Sequence, residues 1–557
     1  MVLANYQAQE KFSLLLGGSL GLIFFLSIFG TCILHPQYVA WLLENTNQDS
    51  IQHFVGWEFF RNETWHFPLG AMQSYGYPIP TSIVYTDSIP ILALIFKCFS
   101  QWLPENFQYF GFWYAFCFFM QGTFAWALSC YITKNNFIKC CITLFFLMSP
   151  IMLNRVMEDQ SLVAQWLILA GFWLYIRPYR FNLNWFWLIL ITFAVLTHAY
   201  LAFMVFALWL AFLLRHILID KDLSIKQSTV FFILTIFTAF LAAWTVGYFV
   251  IPFSGIIDAG GYGLNSMNLL APFMPTTGSV LEPSKWSFFI QPILPLFSEQ
   301  GVEGFNYFGM GILTLLVFSL ACLIQKRPGK KTLVLWLPMI VVCTLLTLYA
   351  ISNVIYIGHS LLFSYSLPQY SFVLTNMFRA SGRFFWPAYY FLMLMTFIIL
   401  NSRLKTQWLI FLLSASLVLQ LVDLSIKIKG LHQYFATYRQ VRNPQNASRE
   451  VSYSRMVFLP PISMPNIKIK NFGDYIHYAA THHMTVNLGY FARQDNSQYM
   501  SVGKQLLIQA SQGQFSKDTL YIIIDPHLAR MLKMHLHEGD MVATLNSYTV
   551  ILPALRQ

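Results

Sequence analysis

The sequence predicts a polytopic α-helical membrane protein with about eleven transmembrane helices and an outer interfacial helix, followed by a C-terminal extracytoplasmic α/β domain. Three observations support this fold class. The 557-residue chain is 57% hydrophobic and only 10% charged, whereas a soluble domain is about 25% charged. Apolar runs long enough to span a bilayer recur up to residue 426. Beyond that residue the composition becomes polar and mixed.

The predicted spans each hold roughly 20 mostly apolar residues, the length that a bilayer requires. The first of them is too long for a signal-peptide core and lacks a small-x-small cleavage site, so we expect it to be retained. The spans are residues 12–34, 107–132, 138–154, 161–176, 184–199, 201–215, 229–252, 307–324, 332–351, 383–400 and 407–425.

The segment "VYTDSIPILALIFKCFSQWL" at residues 84–103 contains Asp87, Pro90 and Lys97, which leave too short an apolar stretch to cross. Charge placement decides how it is interpreted. If it lies on the outer surface and the N-terminus is cytoplasmic, tracts such as "QKRPGKK" (325–331) fall inside, as the positive-inside rule requires. We therefore expect an outer interfacial or re-entrant helix here.

This topology predicts a membrane domain over residues 1–426, with large outer loops at 35–106 and 253–306, and an outer α/β domain over residues 427–557. The latter contains the strand-like runs "RMVFLPPI" and "TLYIIID", the helix-like "YIHYAATHHM" and the hairpin-like "GDMVATLNSYTVILP". Most carboxylates of the membrane domain fall on the outer side, where we expect the chemistry to occur.

Several classes of protein are disfavoured. The net charge of +11 lies in short tracts between apolar runs, so it indicates membrane orientation and not nucleic-acid binding. The eight cysteines form no CxxC motif, and neither a disulfide framework nor a zinc site is implied. The chain shows no equal halves with repeated interrupted helices, which inverted-repeat transporters usually display.

The first candidate pair follows the first span. Asp49 and His53 are four residues apart, so a helical turn would place both on one face. A carboxylate near a dry membrane surface is costly unless it is paired, bound to metal or acting as a base. The alternative is an exposed loop aspartate beside a packed histidine.

Glu158 and Asp159 follow "SPIMLNRVM", in which Arg155 marks the outer end of a helix. Adjacent carboxylates beside an arginine can hold a divalent cation, with Mg²⁺ or Mn²⁺ as candidates, or bind a sugar hydroxyl. They can equally be a solvated helix start with a surface ion pair. Asp87 is a candidate second acid, or an N-cap of the interfacial helix.

His198 and Tyr200 in "LTHAYL" lie where two predicted spans meet on the outer side. A lone histidine there is more often structural than functional, although it could hydrogen-bond a phosphate. Arg379 and Arg383 in "FRASGRFFWP" lie at the outer start of a span. Two guanidiniums at a helix N-terminus make a good anion site, and anchoring to lipid head groups is the alternative.

The last candidates belong to "EQGVEGFNYFGMG" at residues 299–311. Glu303 and Tyr307 could bind a hydroxylated substrate beside glycines that permit close backbone approach. A glycine-rich linker is the alternative.

Taken in order, these residues resemble the GT-C superfamily of glycosyltransferases that use polyprenyl-phosphate sugars. More narrowly, "QHFVGWEFFRN", "SIVYTDSIPILALIFK", "QYFGFW" and "FRASGRFFWP" look like a bacterial family of GT-C-like membrane proteins classified as a domain of unknown function (DUF6311). The narrow resemblance covers nearly the whole chain, and the broad one covers mainly the first 200 residues. Both imply a multi-pass protein of the bacterial inner membrane with a periplasmic C-terminal domain.

The GT-C resemblance implies roles for individual residues. Asp49 matches the acid that acts as base on the acceptor, and Glu158 or Asp159 matches the acids that hold a metal or the acceptor. Arg379 and Arg383 would neutralise the donor phosphate, and Glu303 is a weaker match to a later outer-loop acid.

The expected function is transfer of a sugar from a polyprenyl-phosphate donor to a glycan, lipid or protein acceptor outside the cytoplasm, with membrane lipids as the surroundings. A lipid-linked-sugar transporter or flippase and an envelope assembly scaffold are the alternatives. A flippase predicts ionisable groups deep within helices, and a scaffold would make the C-terminal domain the essential part.

Overall fold

The computed structural model describes residues 2–43, 48–252, 261–275, 286–290, 303–436, 453–461, 469–545 and 547–554, with side chains from residue 14 onward except those of residues 48 and 49. The chain in this part is mostly helical. Its α-helices are Val2–Phe29, Ala40–Leu43, Gln48–Asn62, Pro90–Lys97, Phe110–Ile132, Asn136–Leu147, Pro150–Arg155, Trp166–Ile176, Asn182–Val195, Ala199–Leu214, Ile225–Val246, Met310–Gln325, Lys330–Ile351, Phe372–Met377, Trp386–Arg403, Thr406–Asp423, Ser425–Ala436, Phe472–Thr481, Asn496–Ser511 and Pro526–Lys533.

Nine strands form three sheets in the described residues. The strands are β1 (Ala71–Met72), β2 (Thr81–Ser82), β3 (Val354–Ile357), β4 (Ser360–Ser364), β5 (Arg455–Leu459), β6 (Thr485–Val486), β7 (Thr519–Ile523), β8 (Met541–Leu545) and β9 (Tyr548–Leu552). Two of the sheets are the two-stranded pairs β1-β2 and β3-β4, and the third has the order β6-β5-β7-β9-β8.

All eleven predicted spans contain helix, but seven helical segments in the described residues are long and apolar enough to cross a membrane. Four others are shorter apolar stretches of 10–17 described residues, namely Leu14–Phe29, Gln160–Ile176, Asn182–Val195 and Met310–Gln325. The first of these belongs to the 28-residue helix Val2–Phe29, whereas the other three, at a rise of about 1.5 Å per residue, fall short of a hydrocarbon core of about 30 Å. The protein is therefore a membrane protein with seven membrane-length helices among the described residues, and the predicted number of eleven is not confirmed. These seven are Phe110–Ile132, Asn136–Arg155, Ala199–Ile219, Ile225–Val246, Lys330–Ile351, Ser381–Arg403 and Thr406–Asp423.

The segment at residues 84–103 contains an eight-residue helix, Pro90–Lys97, between two short 3₁₀ turns. Eight residues extend only about 12 Å, so this helix cannot cross a bilayer. The N-cap interpretation of Asp87 is wrong, because the N-cap position of this helix is Ile89, two residues further along the chain.

The C-terminal region contains the elements that its sequence pattern predicts. The two strand-like runs form β5 and β7, which pair in parallel, and the hairpin-like run forms the antiparallel pair β8 and β9. The helix Phe472–Thr481 covers the predicted helical run. This region is an α/β fold around one mixed sheet.

The C-terminal sheet region packs directly on the first long loop. Val486 forms a parallel bridge with Tyr75, and the side-chain amide of Asn62 donates to the carbonyl oxygen of Ala480 at 3.2 Å. His477 Nδ1 lies 2.8 Å from Glu58 Oε2 in a buried ion pair. The helix Gln48–Asn62 therefore joins the two parts of the protein.

The helices Val2–Phe29 and Phe110–Ile132 touch backbone to backbone. A Cβ added to Gly122 would lie 2.2 Å from the carbonyl oxygen of Gly17, and one added to Gly21 would lie 2.1 Å from the carbonyl oxygen of Phe118. Only glycine permits so close an approach of two helices.

We expect Gly122→Val to lower the thermal unfolding midpoint of detergent-solubilised protein, with a loss of about 2 kcal/mol or more from the forced separation of the helices. Scanning fluorimetry measures it. Gly430→Ala is the control, since nothing lies within 4 Å of that Cβ and the position is inside a helix. Gly430→Ala should leave the unfolding midpoint unchanged or raise it. Equal midpoints for Gly122→Val and wild type would contradict the close packing of the two helices.

The Glu58–His477 pair predicts a pH-dependent stability. Burial lowers the pKa of His477, but the charge of Glu58 and its hydrogen bond outweigh this, so the pKa lies above 6.5. For the carboxyl group of Glu58, burial acts in the opposite direction and raises the pKa. A histidine with a raised folded-state pKa contributes its full stability below its unfolded pKa and loses it as the pH rises through the folded-state value.

The difference in unfolding midpoint between wild type and His477→Gln should therefore shrink as the pH rises above about 6.5. His482→Gln, at an exposed position directly after the same helix, is the matched control and should show no such trend. A difference that grows with pH would contradict this assignment of the pair.

Candidate functional site

The structure gathers eight ionisable side chains, all of them candidates from the sequence, into one group that we call the charged cluster. They are buried or half-buried at one end of the membrane-length helices, although they come from six separate parts of the chain. The charged cluster consists of His53, Asp87, Arg155, Glu158, Asp159, His198, Glu303 and Arg383.

His53 is held in one orientation by a chain of hydrogen bonds. The hydroxyl of Ser50 donates to the Met157 carbonyl at 3.3 Å, so its oxygen accepts from Gln160 Nε2 at 2.8 Å. The remaining amide oxygen of Gln160 then accepts from His53 Nδ1. Because Nδ1 donates this hydrogen bond, it carries the proton of the neutral ring. Nε2 of neutral His53 is therefore unprotonated and carries a lone pair.

That lone pair faces a carboxylate. His53 Nε2 lies 3.9 Å from Asp159 Oδ1. Asp159 caps the 3₁₀ turn Gln160–Val163, and its Oδ1 accepts from the Ser161 hydroxyl at 2.6 Å. The expected helix start is therefore present, but it is buried and not solvated.

His198 has the opposite tautomer. Its Nδ1 accepts from the backbone N–H of Tyr200 at 3.1 Å, so in the neutral ring Nε2 carries the proton. Nε2 lies 3.5 Å from Asp87 Oδ1 and 3.7 Å from Asp159 Oδ2. His198 thus presents a donor to both carboxylates.

Asp87 reaches this position through a constrained turn. Asp87 and Ile89 both adopt left-handed backbone conformations, with φ of 53° and 55°, which cost roughly 1–2 kcal/mol per residue outside glycine. The turn packs against the helix Gln48–Asn62 at Gly56, where a Cβ would lie 2.4 Å from Thr86 Oγ1. Backbone strain of this kind clusters at functional sites.

A chain of ion pairs completes the cluster. Arg383 binds Glu303 with two hydrogen bonds of 2.5 and 2.6 Å, and Arg155 Nη1 lies 3.2 Å from Glu303 and 3.1 Å from Glu158. Arg383 Nη1 also lies 3.8 Å from Asp159 Oδ2. Arg155 is therefore a buried partner of Glu303, not a surface ion pair.

The electrostatics fix the protonation states. Burial lowers the pKa of both His53 and His198 to about 4, an effect that the charge of Asp159 only partly offsets. Burial would raise the pKa of Asp159, but His198, His53, Arg383 and the Ser161 hydroxyl hold it below its usual range. At neutral pH the site contains two neutral imidazoles and an ionised carboxylate.

Two acceptors facing each other across 3.9 Å are unfavourable unless something positive or a hydrogen-bond donor lies between them. One ligand atom each from His53, Asp87 and Asp159 lies within 4.8 Å of the others. A divalent cation bound at about 2.1 Å needs ligand atoms within about 4.2 Å of one another, so a small inward movement would fit a cation. A hydroxyl group that donates to one of the two acceptors would relieve the same repulsion.

Other predicted residues lie around the cluster or away from it. Tyr200 stacks under Arg383, whose guanidinium carbon is 4.8 Å from the ring centre. Arg379 Nη2 donates to the Ala492 carbonyl at 3.4 Å. The hydroxyl of Tyr307 donates to Asp423 at 2.8 Å and ties two helix ends together. The side chain of Asp49 lies outside the described residues, so its pairing with His53 is untested.

The structure adds residues that the sequence analysis did not single out. Arg493, from the C-terminal region, donates to the carbonyls of Asn376 and Met377 at 3.0 and 2.6 Å and also to the Ala492 carbonyl that Arg379 contacts. Gln160, next to Asp159, orients His53. Neither has a motif of its own, and only proximity in the fold identifies them.

We expect the protein to bind Mn²⁺ in an electron paramagnetic resonance titration, because the His53, Asp87 and Asp159 atoms converge. Asp87→Asn should weaken binding about 10-fold or more. Asp222→Asn is the control, since His216, Asp220 and Asp222 form the other possible metal group in the described residues. Binding lost in Asp222→Asn but kept in Asp87→Asn would assign the cation to the other group.

Residues 18–425 match the family described as domain of unknown function (DUF6311), and residues 448–553 match the DUF6311 C-terminal domain. No curated protein matches the chain. The narrower of the two resemblances is thus confirmed, and since the first match alone covers more than half of the chain, the protein belongs to the DUF6311 family.

Proposed function

We propose that this protein is a membrane glycosyltransferase of GT-C type that transfers a sugar from a polyprenyl-phosphate donor to an extracytoplasmic acceptor. The gap between the His53 imidazole and the Asp159 carboxylate carries the proposal. It is a buried pair of proton acceptors at the end of an apolar helix bundle, where a lipid-linked substrate and a polar one would meet.

The cluster's position supports an extracytoplasmic site. The helix segment Asn136–Arg155 ends at the cluster, and Ala199–Ile219 and Ser381–Arg403 begin there. Basic residues such as Lys134, Lys330 and Lys405 lie near the opposite ends of membrane-length helices. Under the positive-inside rule the basic ends face the cytoplasm, and the C-terminal region, which contacts the cluster side, is then periplasmic.

The proposed reaction is a displacement at the anomeric carbon of the sugar. The acceptor hydroxyl lies between His53 Nε2 and Asp159 and gives its proton to this pair as its oxygen bonds to the anomeric carbon. The bond from that carbon to the donor phosphate breaks, and the electron pair leaves on the phosphate oxygen. Asp49, one helical turn before His53, is the alternative base from the sequence resemblance.

Cations close to the gap would stabilise the departing phosphate. Arg155 and Arg383 are both bound to Glu303, so we assign them mainly to holding the charged cluster together. Arg379 and Arg493 meet at one carbonyl oxygen, and guanidiniums fixed by backbone contacts are suited to binding a phosphate. We assign the donor phosphate to these two.

The test is sugar transfer by purified, reconstituted protein supplied with radiolabelled polyprenyl-phosphate sugars and host membrane extract. We expect Asp159→Asn to lower the rate of transfer by about 100-fold or more, because the acceptor hydroxyl loses its charged partner. Asp518→Asn, in the half-exposed Arg455–Asp518 pair of the C-terminal sheet, is the control.

Asp49→Asn, assayed alongside, decides between the two bases: the variant with the larger loss of rate identifies the base. Full transfer by Asp159→Asn would remove Asp159 from the mechanism. If folded wild-type protein transfers no label but moves labelled lipid across the vesicle membrane, the flippase alternative replaces the transferase.

A further inference from the structure

Residues 352–378 form a segment with an unusual composition, which we call the uncharged hairpin segment. It contains β3, β4 and the helix Phe372–Met377. No Asp, Glu, Lys or Arg occurs between Lys331 and Arg379. The first part of that stretch is the membrane-length helix Lys330–Ile351, but the uncharged hairpin segment is not a spanning helix. A water-facing connection of this length would ordinarily carry several charges.

The uncharged hairpin segment also exposes its large apolar side chains. All five residues of β4 are exposed, and Tyr370 is 86% exposed. Contiguous exposed apolar surface marks a binding face for protein or membrane. The exposed large side chains of the segment are Ile357, Leu361, Leu362, Phe363, Tyr365, Tyr370, Phe372, Val373 and Leu374.

The backbone of the hairpin is held in place, so its apolar exposure is a fixed feature. At the hairpin turn, the side-chain N–H of Asn268 donates to the Gly358 carbonyl at 2.8 Å, and the side-chain oxygen of Asn268 accepts from the Gly358 N–H at 3.0 Å. The N–H of Leu269 donates to the Tyr356 carbonyl at 3.0 Å, and Asn353 donates to the Tyr365 carbonyl at 2.8 Å. The hairpin is thus hydrogen-bonded to residues 261–275, while its large apolar side chains remain exposed.

The apolar surface continues that of the helix Lys330–Ile351. Val341, Leu345 and Leu348 are exposed on this helix, as expected of side chains that face lipid. The helix ends one residue before the uncharged hairpin segment begins. No charged residue lies between the lipid-facing surface of this helix and the exposed surface of the hairpin. We therefore expect the same lipid to cover both surfaces.

We infer that the uncharged hairpin segment inserts its apolar side chains into the membrane leaflet on the side of the charged cluster. Its tyrosines suit the head-group level, where aromatic side chains with a polar tip are enriched. Its backbone stays near that level as well, since an open strand edge is not tolerated in the hydrocarbon core.

This insertion would fix the height of the charged cluster above the leaflet. The segment 261–275 that holds the hairpin also accepts a hydrogen bond from Gly382 N–H at Asn265 O, at 3.0 Å. Gly382 directly precedes Arg383. The hairpin is therefore linked to the ion pairs of the cluster through residues 261–275 and Gly382. The inference holds whether or not the protein transfers sugars.

The experiment places a fluorescent amino acid at position 362 by stop-codon suppression and reconstitutes the full chain in phospholipid vesicles. The probe is quenched by lipids that carry a nitroxide near the head group, or by aqueous iodide. Position 341, in the middle of the membrane-length helix, is the lipid-facing control. Position 505, on the exposed face of the helix Asn496–Ser511, is the water-facing control. Monodisperse elution in detergent confirms folding of each variant.

Lipid quenching at position 362 several-fold above that at position 505, with weak iodide quenching, is the expected result. Iodide quenching equal to that at position 505 would overturn the inference and leave the hairpin in water. Protection from both quenchers would overturn it too, since a second copy of the chain or another protein would then cover the hairpin.

Discussion

The two hydrogen bonds between Arg383 and Glu303, extended by Arg155, are the interaction on which the site depends. Ions buried at the end of an apolar bundle lose their hydration, and only close partners offset that loss. Glu303 lies just before the helix Met310–Gln325, Arg383 lies at the start of a membrane-length helix and Arg155 ends another. These chain segments must therefore converge, because any one of these groups left alone would be a buried unpaired charge.

Convergence of these ion pairs places the titratable groups next to one another. Arg383 lies beside Asp159, and Asp159 faces both His53 and His198. The two histidines are kept neutral by burial and differ in tautomer, because one ring nitrogen of each is already bonded, to Gln160 in one case and to the Tyr200 N–H in the other. His53 therefore presents an unprotonated ring nitrogen, and His198 an N–H donor, to the carboxylate of Asp159.

The C-terminal region is part of this arrangement and not an appended module. Ala492 N–H donates to the Tyr85 carbonyl at 2.7 Å, two residues before Asp87, and Arg493 extends from there to the carbonyl ends of the helix Phe372–Met377. Cationic groups at the last carbonyls of a helix are favourable. Docking of this region thus brings a guanidinium to the edge of the cluster while it fastens two loops.

The sequence by itself determined the membrane character, the helices of the predicted spans, four of the five strands of the C-terminal sheet and the eight members of the cluster as candidates. Hydropathy runs, period-two alternation and the cost of acids near a membrane are local properties that can be read along the chain. It did not determine which helices are long enough to cross, since the positions where helices begin and end depend on the turns around them.

Only the tertiary structure decided the partners. Glu303 pairs with arginines about 80 and 150 residues away in sequence, and Gln160 and Arg493 carry no local signal at all. The distance between two charges, their burial and the tautomer of a histidine arise from groups that the fold brings together. Spacing along one helix, which suggested pairing His53 with Asp49, could not reveal that His53 faces Asp159.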